Sequence, residues 1–397
     1  MPERFHQILI DASQSIGERD WSVRSSDLGF DGDWSISLQT LRGGRQEGVQ
    51  LLEIDAGALK VTLVPTRGMG ITQVEHRGER IGWHSPSAEH VHPSQVRLES
   101  RGGLGWLEGF NEWLVRCGLE WAGGPGPDRF ITNTGAEAEM DLTLHGRIAN
   151  IPASRLEVIV EPGDPPLIRV RGVVHERCFY GPRLELESTV SIEVGTDRLL
   201  VDDRVINRAA NHQEMQLLYH INYGSPLLSE GARFLAPVRR VMPINEHAAS
   251  AVDCWDIYRG PTPGFVEEVY CLEPIPDATG QVPVLLQSAA GDRGVLMHQR
   301  VDQLPCLTLW KSTGAEDDGY VTGIEPGCGY PHNRRIERAH GRVPTLGAGE
   351  ARSFRLEFGF LEGHDALRPW VEAIEASNEK WCRPEHEPMA VDDPRKA

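Results

Sequence analysis

A single carboxylate, Glu325, stands where a predicted strand meets a glycine-rich break, in the segment GYVTGIEPGCGYPHN at residues 319–333. Alternation in this segment predicts a strand that directs Val321, Gly323 and Glu325 to one face. Pro326 cannot donate to a sheet ladder, so we expect the strand to end there. A carboxylate aimed from a strand end into space left by glycines is suited to act as a general base. The alternative is an ordinary surface glutamate.

A second group with acid–base potential is His220, in the segment QEMQLLYHINYG. If this segment is a strand, Gln216, His220 and Asn222 share one face, and the other face is apolar and aromatic. A polar inner face is costly unless it meets water or a polar ligand. We therefore interpret His220 and Asn222 as candidates to face a ligand. A histidine whose hydrogen bonds are satisfied within the fold is the alternative for His220.

Three other segments carry polar groups suited to hold a ligand rich in oxygen atoms. Arg67 follows a predicted strand in PTRGMGI, and its planar fork of donors suits the vicinal oxygens of a sugar or a carboxylate. Alternation in DLTLHGR places His145 on a polar strand face. Glu267 and Glu268 point to opposite faces of another strand, and we expect one of them to hold sugar hydroxyls. A surface arginine in a turn is the alternative for Arg67.

Cationic residues bear on the charge of that ligand. Lys311 ends a predicted strand shortly before the Glu325 segment, and Arg67 and Arg147 lie in two of the other candidate segments. Together these three cations lead to the hypothesis that the ligand is an anionic sugar. Equal activity on neutral and acidic sugars would remove this hypothesis.

Metal and phosphate sites are not indicated by the motifs. His90 and His92 form an H-x-H pair, which some metal sites require, but prolines flank it and no third ligand follows at a diagnostic spacing. The glycine-rich GGLGWLEG segment does not match a dinucleotide-binding loop. We therefore expect loop histidines, no metal and no cofactor. Trp106, Trp113 and Trp121 are candidates for an aromatic wall against a sugar face, with burial in the core as the alternative.

Composition limits the classes of partner. The 397 residues include 40 Lys and Arg against 58 Asp and Glu, a formal net charge of −18. Such an acidic balance argues against nucleic acids and anionic membranes, because both reward clustered positive charge. The chain has neither the pattern of a signal peptide nor an apolar run of about 18 residues that would span a membrane, so we expect a cytoplasmic protein. Seven cysteines without a C-x-x-C pair are expected to be reduced thiols.

Short alternating segments separated by turn residues recur over residues 31–361, and no long segment of helical period interrupts them. This pattern predicts an all-β fold of large antiparallel sheets, in a single domain over residues 1–383. The pattern of apolar and polar residues over 367–381 predicts one amphipathic C-terminal helix. Residues 384–397 form a charged, proline-containing tail that we expect to be disordered.

The ordered set of His145 in LHG, His220 in YHIN, Glu325 in GIEP and the LGAGE turn at residues 346–350 resembles the aldose 1-epimerase (galactose mutarotase) superfamily. The resemblance is greatest to its DUF4432-type branch and extends over roughly residues 51–361. It implies a galactose mutarotase-like β-supersandwich of large antiparallel sheets, with few short helices and a ligand cleft on a concave face. It also implies a small-molecule sugar as substrate and no metal or nucleotide cofactor.

The resemblance also implies roles for individual residues. In that family a glutamate on a late strand is the general base, a histidine on a central strand is the general acid, and an earlier histidine holds the sugar. The matching positions are Glu325, His220 and His145. An acidic residue that binds hydroxyls is matched loosely by Glu267, because the family has Asp followed by His where this chain has two glutamates. The substrate-binding candidates are therefore His145, Arg67, Glu267, Asn222 and Lys311.

Several alternatives stay open at this point. The PGCG sequence after Glu325 departs from true mutarotases, and the same acid–base pair would also serve proton transfer at a carbon next to a carbonyl. A sugar isomerase, epimerase or lyase is therefore a second interpretation, with a metal at His84, His90 or His92 as an option. A non-catalytic sugar-binding protein is a third. The identity of the sugar and the formation of a homodimer are also open.

Overall fold

The computed structural model describes residues 3–391 of the chain. Within that range two large β-sheets pack face to face around one extensive apolar core. The all-β class expected from the alternating pattern is confirmed, and all α-helices in the described residues except the C-terminal one are short. No helix in residues 3–391 combines the length and apolar character needed to cross a bilayer.

The secondary structure is dominated by strands that alternate with tight turns. The strands are β1 (Phe5–Asp11), β2 (Ile16–Gly17), β3 (Trp21–Arg24), β4 (Ser35–Thr40), β5 (Gln50–Asp55), β6 (Leu59–Val64), β7 (Gly70–His76), β8 (Glu79–Ile81), β9 (Leu114–Leu119), β10 (Gly126–Ile131), β11 (Glu137–Leu142), β12 (Arg155–Glu161), β13 (Leu167–Arg177), β14 (Arg183–Glu193), β15 (Arg198–Asn207), β16 (Gln213–Glu214), β17 (Gln216–Tyr223), β18 (Arg233–Leu235), β19 (Val238–Pro243), β20 (Glu268–Pro274), β21 (Gln281–Gln287), β22 (Arg293–Arg300), β23 (Cys306–Ser312), β24 (Val321–Gly327), β25 (Thr345–Leu346), β26 (Ala351–Glu362) and β27 (Arg383–Pro384).

The α-helices are α1 (Ser25–Leu28), α2 (Ser100–Gly103), α3 (Glu246–Ser250), α4 (Arg334–Ala339) and α5 (His364–Trp381). Short 3-10 helices occupy Gly44–Gln46, Pro93–Gln95, Gly105–Gly109, Ile148–Asn150, Val252–Cys254 and Glu316–Asp318.

One sheet has thirteen strands and the other has ten. In the thirteen-stranded sheet the order is β27, β19, β20, β23, β24, β17, β9, β7, β6, β5, β4 and β3, with β8 added on β7. In the ten-stranded sheet the order is β18, β21, β22, β26, β15, β14, β13, β12, β1 and β2. Neighbouring strands are antiparallel except for the short parallel pair β19 and β27. The strands β17 and β24, which carry the two acid–base candidates, are direct neighbours.

The two faces of the thirteen-stranded sheet meet different surroundings. On β17, Leu217, Tyr219 and Ile221 pack into the core between the sheets. Leu218 instead joins a separate apolar cluster with Trp106 on the opposite face. This is the alternation that the sequence of the strand predicts. We call the face that is turned away from the ten-stranded sheet the site face.

The strand that carries Glu325 does not end where it was expected to end. β24 continues through Pro326 to Gly327, and Pro326 pairs in register with Leu307 of β23. On the other side of β24, the pairing with β17 is interrupted at Glu325 and Pro326 and resumes at Gly327. Proline lacks the N–H that a ladder needs. β24 therefore loses its pairing with β17 at this residue, but it stays extended and paired with β23.

The ends of the domain also differ from expectation. β1, β2 and β3 precede residue 31, so the sheets begin earlier than the predicted core, and α5 begins at His364. Part of the expected disordered tail is ordered, since the amides of Glu385 and Met389 donate to carbonyl oxygens of Val241 and Pro243 on β19. Residues 392–397 of that tail lie outside the described residues.

One ion pair is buried in the core between the two sheets. Arg116 on β9 donates to both carboxylate oxygens of Asp203 on β15, and both side chains are 0% exposed. The remaining bonds of the pair are also made inside the core. They run from Arg116 to the Met69 carbonyl and the Ser188 hydroxyl, and from the Tyr219 hydroxyl to Asp203. This network fixes β9, the neighbour of β17, against the second sheet.

We expect Asp203→Asn to lower the free energy of unfolding by about 3–5 kcal/mol, because it leaves the buried Arg116 without a counter-charge. The measurement is equilibrium unfolding in urea. Asp202→Asn is the matched control, since Asp202 forms an exposed pair with Arg355, and such pairs contribute about 0–1 kcal/mol. Similar losses in the two variants would contradict a special role for the buried pair.

Candidate active site

His220 and Glu325 face each other across β17 and β24 on the site face. The register that pairs Ile221 with Ile324 sets the two residues opposite one another. Their closest atoms, His220 Nε2 and Glu325 Oε1, lie 3.2 Å apart, and their side chains are 5% and 3% exposed. Gly323 leaves room for this contact, because a Cβ at that position would lie 2.7 Å from His220 Cε1. An imidazole and a carboxyl group thus lie within ion-pair distance of each other, away from bulk water.

The tautomer of His220 decides how it can interact with Glu325. Nδ1 of His220 donates to Oδ1 of Asn222 over 2.6 Å, so the proton of the neutral imidazole resides on Nδ1. Nε2 and a carboxylate oxygen are then both acceptors. A hydrogen bond between them requires one proton, in either a carboxylic acid with neutral imidazole or a carboxylate with imidazolium.

Burial shifts the pKa of each group toward its neutral form. The pKa of His220 is lowered to about 3, mainly by loss of solvent and then by the nearby His145, with an opposing contribution from Asn222. The pKa of Glu325 is raised well above its ordinary value by burial and, to a smaller extent, by the negative charge of Glu267. Both shifts therefore favour the uncharged form of each group in the free protein.

His145 lies beside this pair, although not on a strand. β11 ends at Leu142, and His145 sits in the following turn with a positive φ of 57°. Its Nδ1 donates to the carbonyl of Ala122 over 2.9 Å, and its ring centroid lies 5.5 Å from that of His220. Burial lowers the pKa of His145 to about 4. The expectation of a strand position was wrong, but the turn brings the ring to the candidate site.

Aromatic rings surround the His220 imidazole. The ring centroids of Phe110, Trp310 and Trp106 lie 5.1, 5.3 and 6.2 Å from that of His220. Trp106 also contacts His145, with centroids 4.7 Å apart. Such apolar walls exclude water and strengthen electrostatic interactions inside the site.

Glu267 stands at the exposed edge of the site. It accepts a hydrogen bond from the indole Nε1 of Trp310 over 2.8 Å, and its charge acts on Glu325. Because the Trp310 ring contacts His220, Glu267 lies one side chain away from the acid–base pair, and its role in binding substrate stays a prediction.

Several buried polar atoms near the pair have no hydrogen-bond partner within the described chain. They include Oε2 of Glu325 and Oγ1 of Thr308, which pairs with Glu325 across the sheet, as well as Nε1 of Trp106. Buried polar groups in native proteins are nearly always hydrogen-bonded, to protein, to water or to a ligand. A donor and an acceptor of this kind beside an acid–base pair suit a polyhydroxylated ligand.

A family model described as a domain of unknown function, DUF4432, matches residues 46–360. The chain belongs to the DUF4432 family. A solved structure of a "putative aldose 1-epimerase" from Klebsiella pneumoniae is 37% identical, with a TM-score of 0.92 over 98% of this chain and 100% of that one. A galactose mutarotase-like protein from Clostridium acetobutylicum is 13% identical, with a TM-score of 0.54 over 87% of this chain and 99% of that one.

These likenesses agree with the sheets described above. This DUF4432 protein has the galactose mutarotase-like fold that the sequence resemblance implied. Among curated proteins, no relative matches its sequence.

Lys311 does not belong to the site of this DUF4432 protein. It pairs with Thr322 in the β23–β24 register, whereas Trp310 pairs with Gly323 on the face of Glu325. Lys311 therefore points to the opposite face of the sheet, where it is buried and contacts Glu268 at 3.1 Å. The expectation that it binds substrate was wrong, because one residue along a strand changes the face.

The two arginines considered as ligands for an anion are also occupied. Arg67 is 1% exposed and donates to Glu112 over 2.7 Å. Arg147 contacts the carboxylates of Glu120 and Glu176 at 2.6 and 3.3 Å. Both guanidinium groups and Lys311 are therefore paired with carboxylates, while Nη2 of Arg67 has no hydrogen-bond partner within the described residues. The hypothesis of an anionic ligand stays a prediction.

The histidines considered for metal binding have other surroundings. His84 is exposed, Nδ1 of His90 lies 3.4 Å from the hydroxyl of Thr72, and His92 caps a 3-10 helix. Within residues 3–391, no group of three or more His, Cys, Asp and Glu side chains is arranged to hold a metal ion.

Sequence reasoning did not assign Trp310, Phe110 and Thr308 to the site. A signal for two of them was present, because β23 and β24 follow each other in the chain and consecutive strands usually pair. The register of that hairpin places Thr308 and Trp310 on the face of Glu325. Phe110 arrives from an irregular segment, for which strand alternation gives no guide. Of the three tryptophans proposed as a wall, Trp106 lines the site, whereas Trp113 packs against Phe358 in the core.

We expect the imidazole rings of His220 and His145 to stay neutral between about pH 5 and 8, where an ordinary histidine titrates. Lowered pKa values mean that protonation begins only near pH 3 to 4. The measurement is the pH dependence of the Cε1–H signals by NMR, assigned with His220→Gln and His145→Gln. A titration midpoint near 6.5 for either ring would show that it is not desolvated.

Proposed function

We propose that this DUF4432 protein is an aldose 1-epimerase that interconverts the anomers of a sugar. The observation that carries the proposal is the 3.2 Å contact between His220 and Glu325 on the site face. The name of the Klebsiella pneumoniae structure supports the same reaction class. One carboxyl group and one imidazole suffice for this chemistry, with no cofactor.

The reaction requires two coupled proton transfers. From the uncharged form of the pair, the Glu325 proton first passes to Nε2 of His220. In the assignment that the family resemblance implies, the Glu325 carboxylate then takes the proton of the anomeric hydroxyl while Nε2–H of His220 protonates the ring oxygen. The bond between C1 and the ring oxygen breaks, and the anomeric oxygen becomes the carbonyl of the open-chain aldose. After rotation about C1–C2, the former ring hydroxyl attacks the other face of C1. Its proton returns to His220, and Glu325 reprotonates the anomeric oxygen.

The single proton of the pair fits this sequence of steps. When the ring opens, the proton gained by Glu325 and the proton lost by His220 convert the ionic form of the pair into the neutral form. Ring closure restores the ionic form. The buried site favours the neutral form, so it stabilises the open-chain state of the cycle.

The surroundings suit a sugar ring. Trp106, Phe110 and Trp310 offer apolar surface to its C–H face, while His145 and Glu267 supply polar contacts for hydroxyl groups. The unpartnered Oε2 of Glu325 and Oγ1 of Thr308 provide further hydrogen-bonding positions.

We expect Glu325→Gln and His220→Gln each to lower the rate of anomer exchange by about 10²–10⁴-fold, the usual contribution of a general acid or base. The measurement is exchange NMR with a panel of aldoses, in which the two anomers give separate signals. Asp317→Asn is the matched control for the loss of a carboxylate, because Asp317 is exposed in the 3-10 helix Glu316–Asp318 before β24. It should keep the wild-type rate.

Other outcomes of that experiment identify the competing functions. Incorporation of deuterium from solvent at a sugar carbon, without anomer exchange, would favour proton transfer at carbon. Sugar binding that survives Glu325→Gln, with no turnover by the wild type, would favour a non-catalytic sugar-binding protein. Either outcome would rule out the proposed epimerase.

We further expect a neutral aldose to be converted faster than the matching uronate, by about tenfold or more in kcat/KM, which corresponds to roughly 1.4 kcal/mol. The reason is that Glu267 contributes negative charge at the site edge, while Arg67, Arg147 and Lys311 are already paired with carboxylates. The measurement compares galactose with galacturonate at low and high salt. Preference for the uronate would contradict this charge assignment.

A further inference from the structure

The sequence placed Asn222 among the candidates for binding substrate, but every hydrogen bond of its side chain is internal. The residue is 0% exposed. Its Nδ2 donates to the carbonyl oxygens of Glu112 and His220, over 2.9 and 3.3 Å. Its Oδ1 accepts from Nδ1 of His220 over 2.6 Å. The amide therefore has its donors and its acceptor engaged without a ligand.

These contacts fix the orientation of the amide. Turning it over would place Oδ1 against the carbonyl oxygens of Glu112 and His220, where acceptors would face acceptors. It would also place a donor against Nδ1 of His220. Only the observed orientation satisfies all the groups, so Nδ1 of His220 must be the donor in that contact.

We propose that Asn222 is a positioning residue that keeps His220 in the tautomer with its proton on Nδ1. This leaves Nε2 as the atom that exchanges a proton with Glu325 and with the sugar, so the inference rests on the proposed function. In the other tautomer, Nε2 would carry the proton at all times and could not accept one from Glu325. The Asn222 amide thus decides which ring nitrogen of His220 is free to accept a proton.

The anchor of Asn222 extends to a second layer of buried groups. The Glu112 carbonyl that it contacts also accepts from Nε1 of Trp83 over 3.0 Å. The Glu112 carboxylate is held by Nε of Arg67 at 2.7 Å and by the backbone amide of Asn111 at 3.1 Å. Arg67 thereby fixes the side chain of Glu112, whose backbone carbonyl in turn holds Asn222.

The first test needs no variant. Long-range ¹H–¹⁵N spectra of the wild-type protein distinguish a protonated Nδ1 from a protonated Nε2, and His220→Gln assigns the signals. We expect the Nδ1–H tautomer for His220. A neutral ring protonated on Nε2 would overturn the proposal.

The second test removes Oδ1 of Asn222, the acceptor for Nδ1 of His220. Asn222→Leu has nearly the same shape but cannot accept from His220, so we expect signals of both tautomers and a fall in kcat of about 10- to 100-fold, with little change in KM. Asn222→Asp keeps the acceptor and should retain the Nδ1–H tautomer. Its negative charge should also raise the pKa of His220, and this would move the acid limb of the pH profile upward.

Asn378→Leu is the matched control, because Asn378 on α5 also uses both ends of its amide, with Val238 and Ala236. It should lose stability without altering the tautomer of His220 or kcat. If Asn222→Leu behaves in the same way as this control, Asn222 has only a structural role and the proposal is wrong. If the wild type shows the Nδ1–H tautomer but exchanges no sugar anomers, the tautomer assignment stands and the epimerase function fails.

Discussion

An imidazole and a carboxyl group are held 3.2 Å apart and shielded from water, and the geometry around them serves this contact. Charging either group alone in such a place is costly, because little solvent is available to stabilise the charge. Transfer of a proton from the carboxyl group to the imidazole creates both charges together, and the reverse transfer removes both. Adjacent antiparallel strands provide a rigid frame for the pair, since the register that sets His220 opposite Glu325 is fixed by hydrogen bonds on both strands.

The two faces of the thirteen-stranded sheet have different roles: the inner face packs in the core, and the site face carries His220 and Glu325. Residues of β17 that point inward, such as Tyr219, join the core, where Arg116 and Asp203 connect the two sheets. The residues between them point outward and include His220. Because adjacent side chains on a strand must point to opposite faces, firm packing of the inner set holds the outer set in place. The packing of the core thus fixes the positions of His220 and Glu325, although neither side chain lies in that core.

Alternation within strands was enough to predict the all-β fold and to single out His220 and Glu325. It failed for Lys311, because the pattern shows that two faces exist without showing which face meets the ligand. It failed differently for Arg67, whose partner Glu112 lies 45 positions away in the chain. Local patterns carry no information about such a pairing. The position of His145 in a turn with positive φ was equally hidden, since turns are set by the loops they pack against.

The paired cations limit what the site can recognise. Once buried arginine and lysine side chains are engaged by carboxylates, they cannot move to a ligand without leaving the carboxylate unpaired, at a cost of several kcal/mol. Under the proposed function, the sugar would then be recognised through its hydroxyl groups and by apolar contact with Trp106 and Trp310. Buried polar atoms such as Oε2 of Glu325 have no partner among the protein groups of the described chain. A ligand hydroxyl that reached such an atom would form its hydrogen bond in surroundings with little competing solvent, so these atoms favour a hydroxylated ligand over an apolar one.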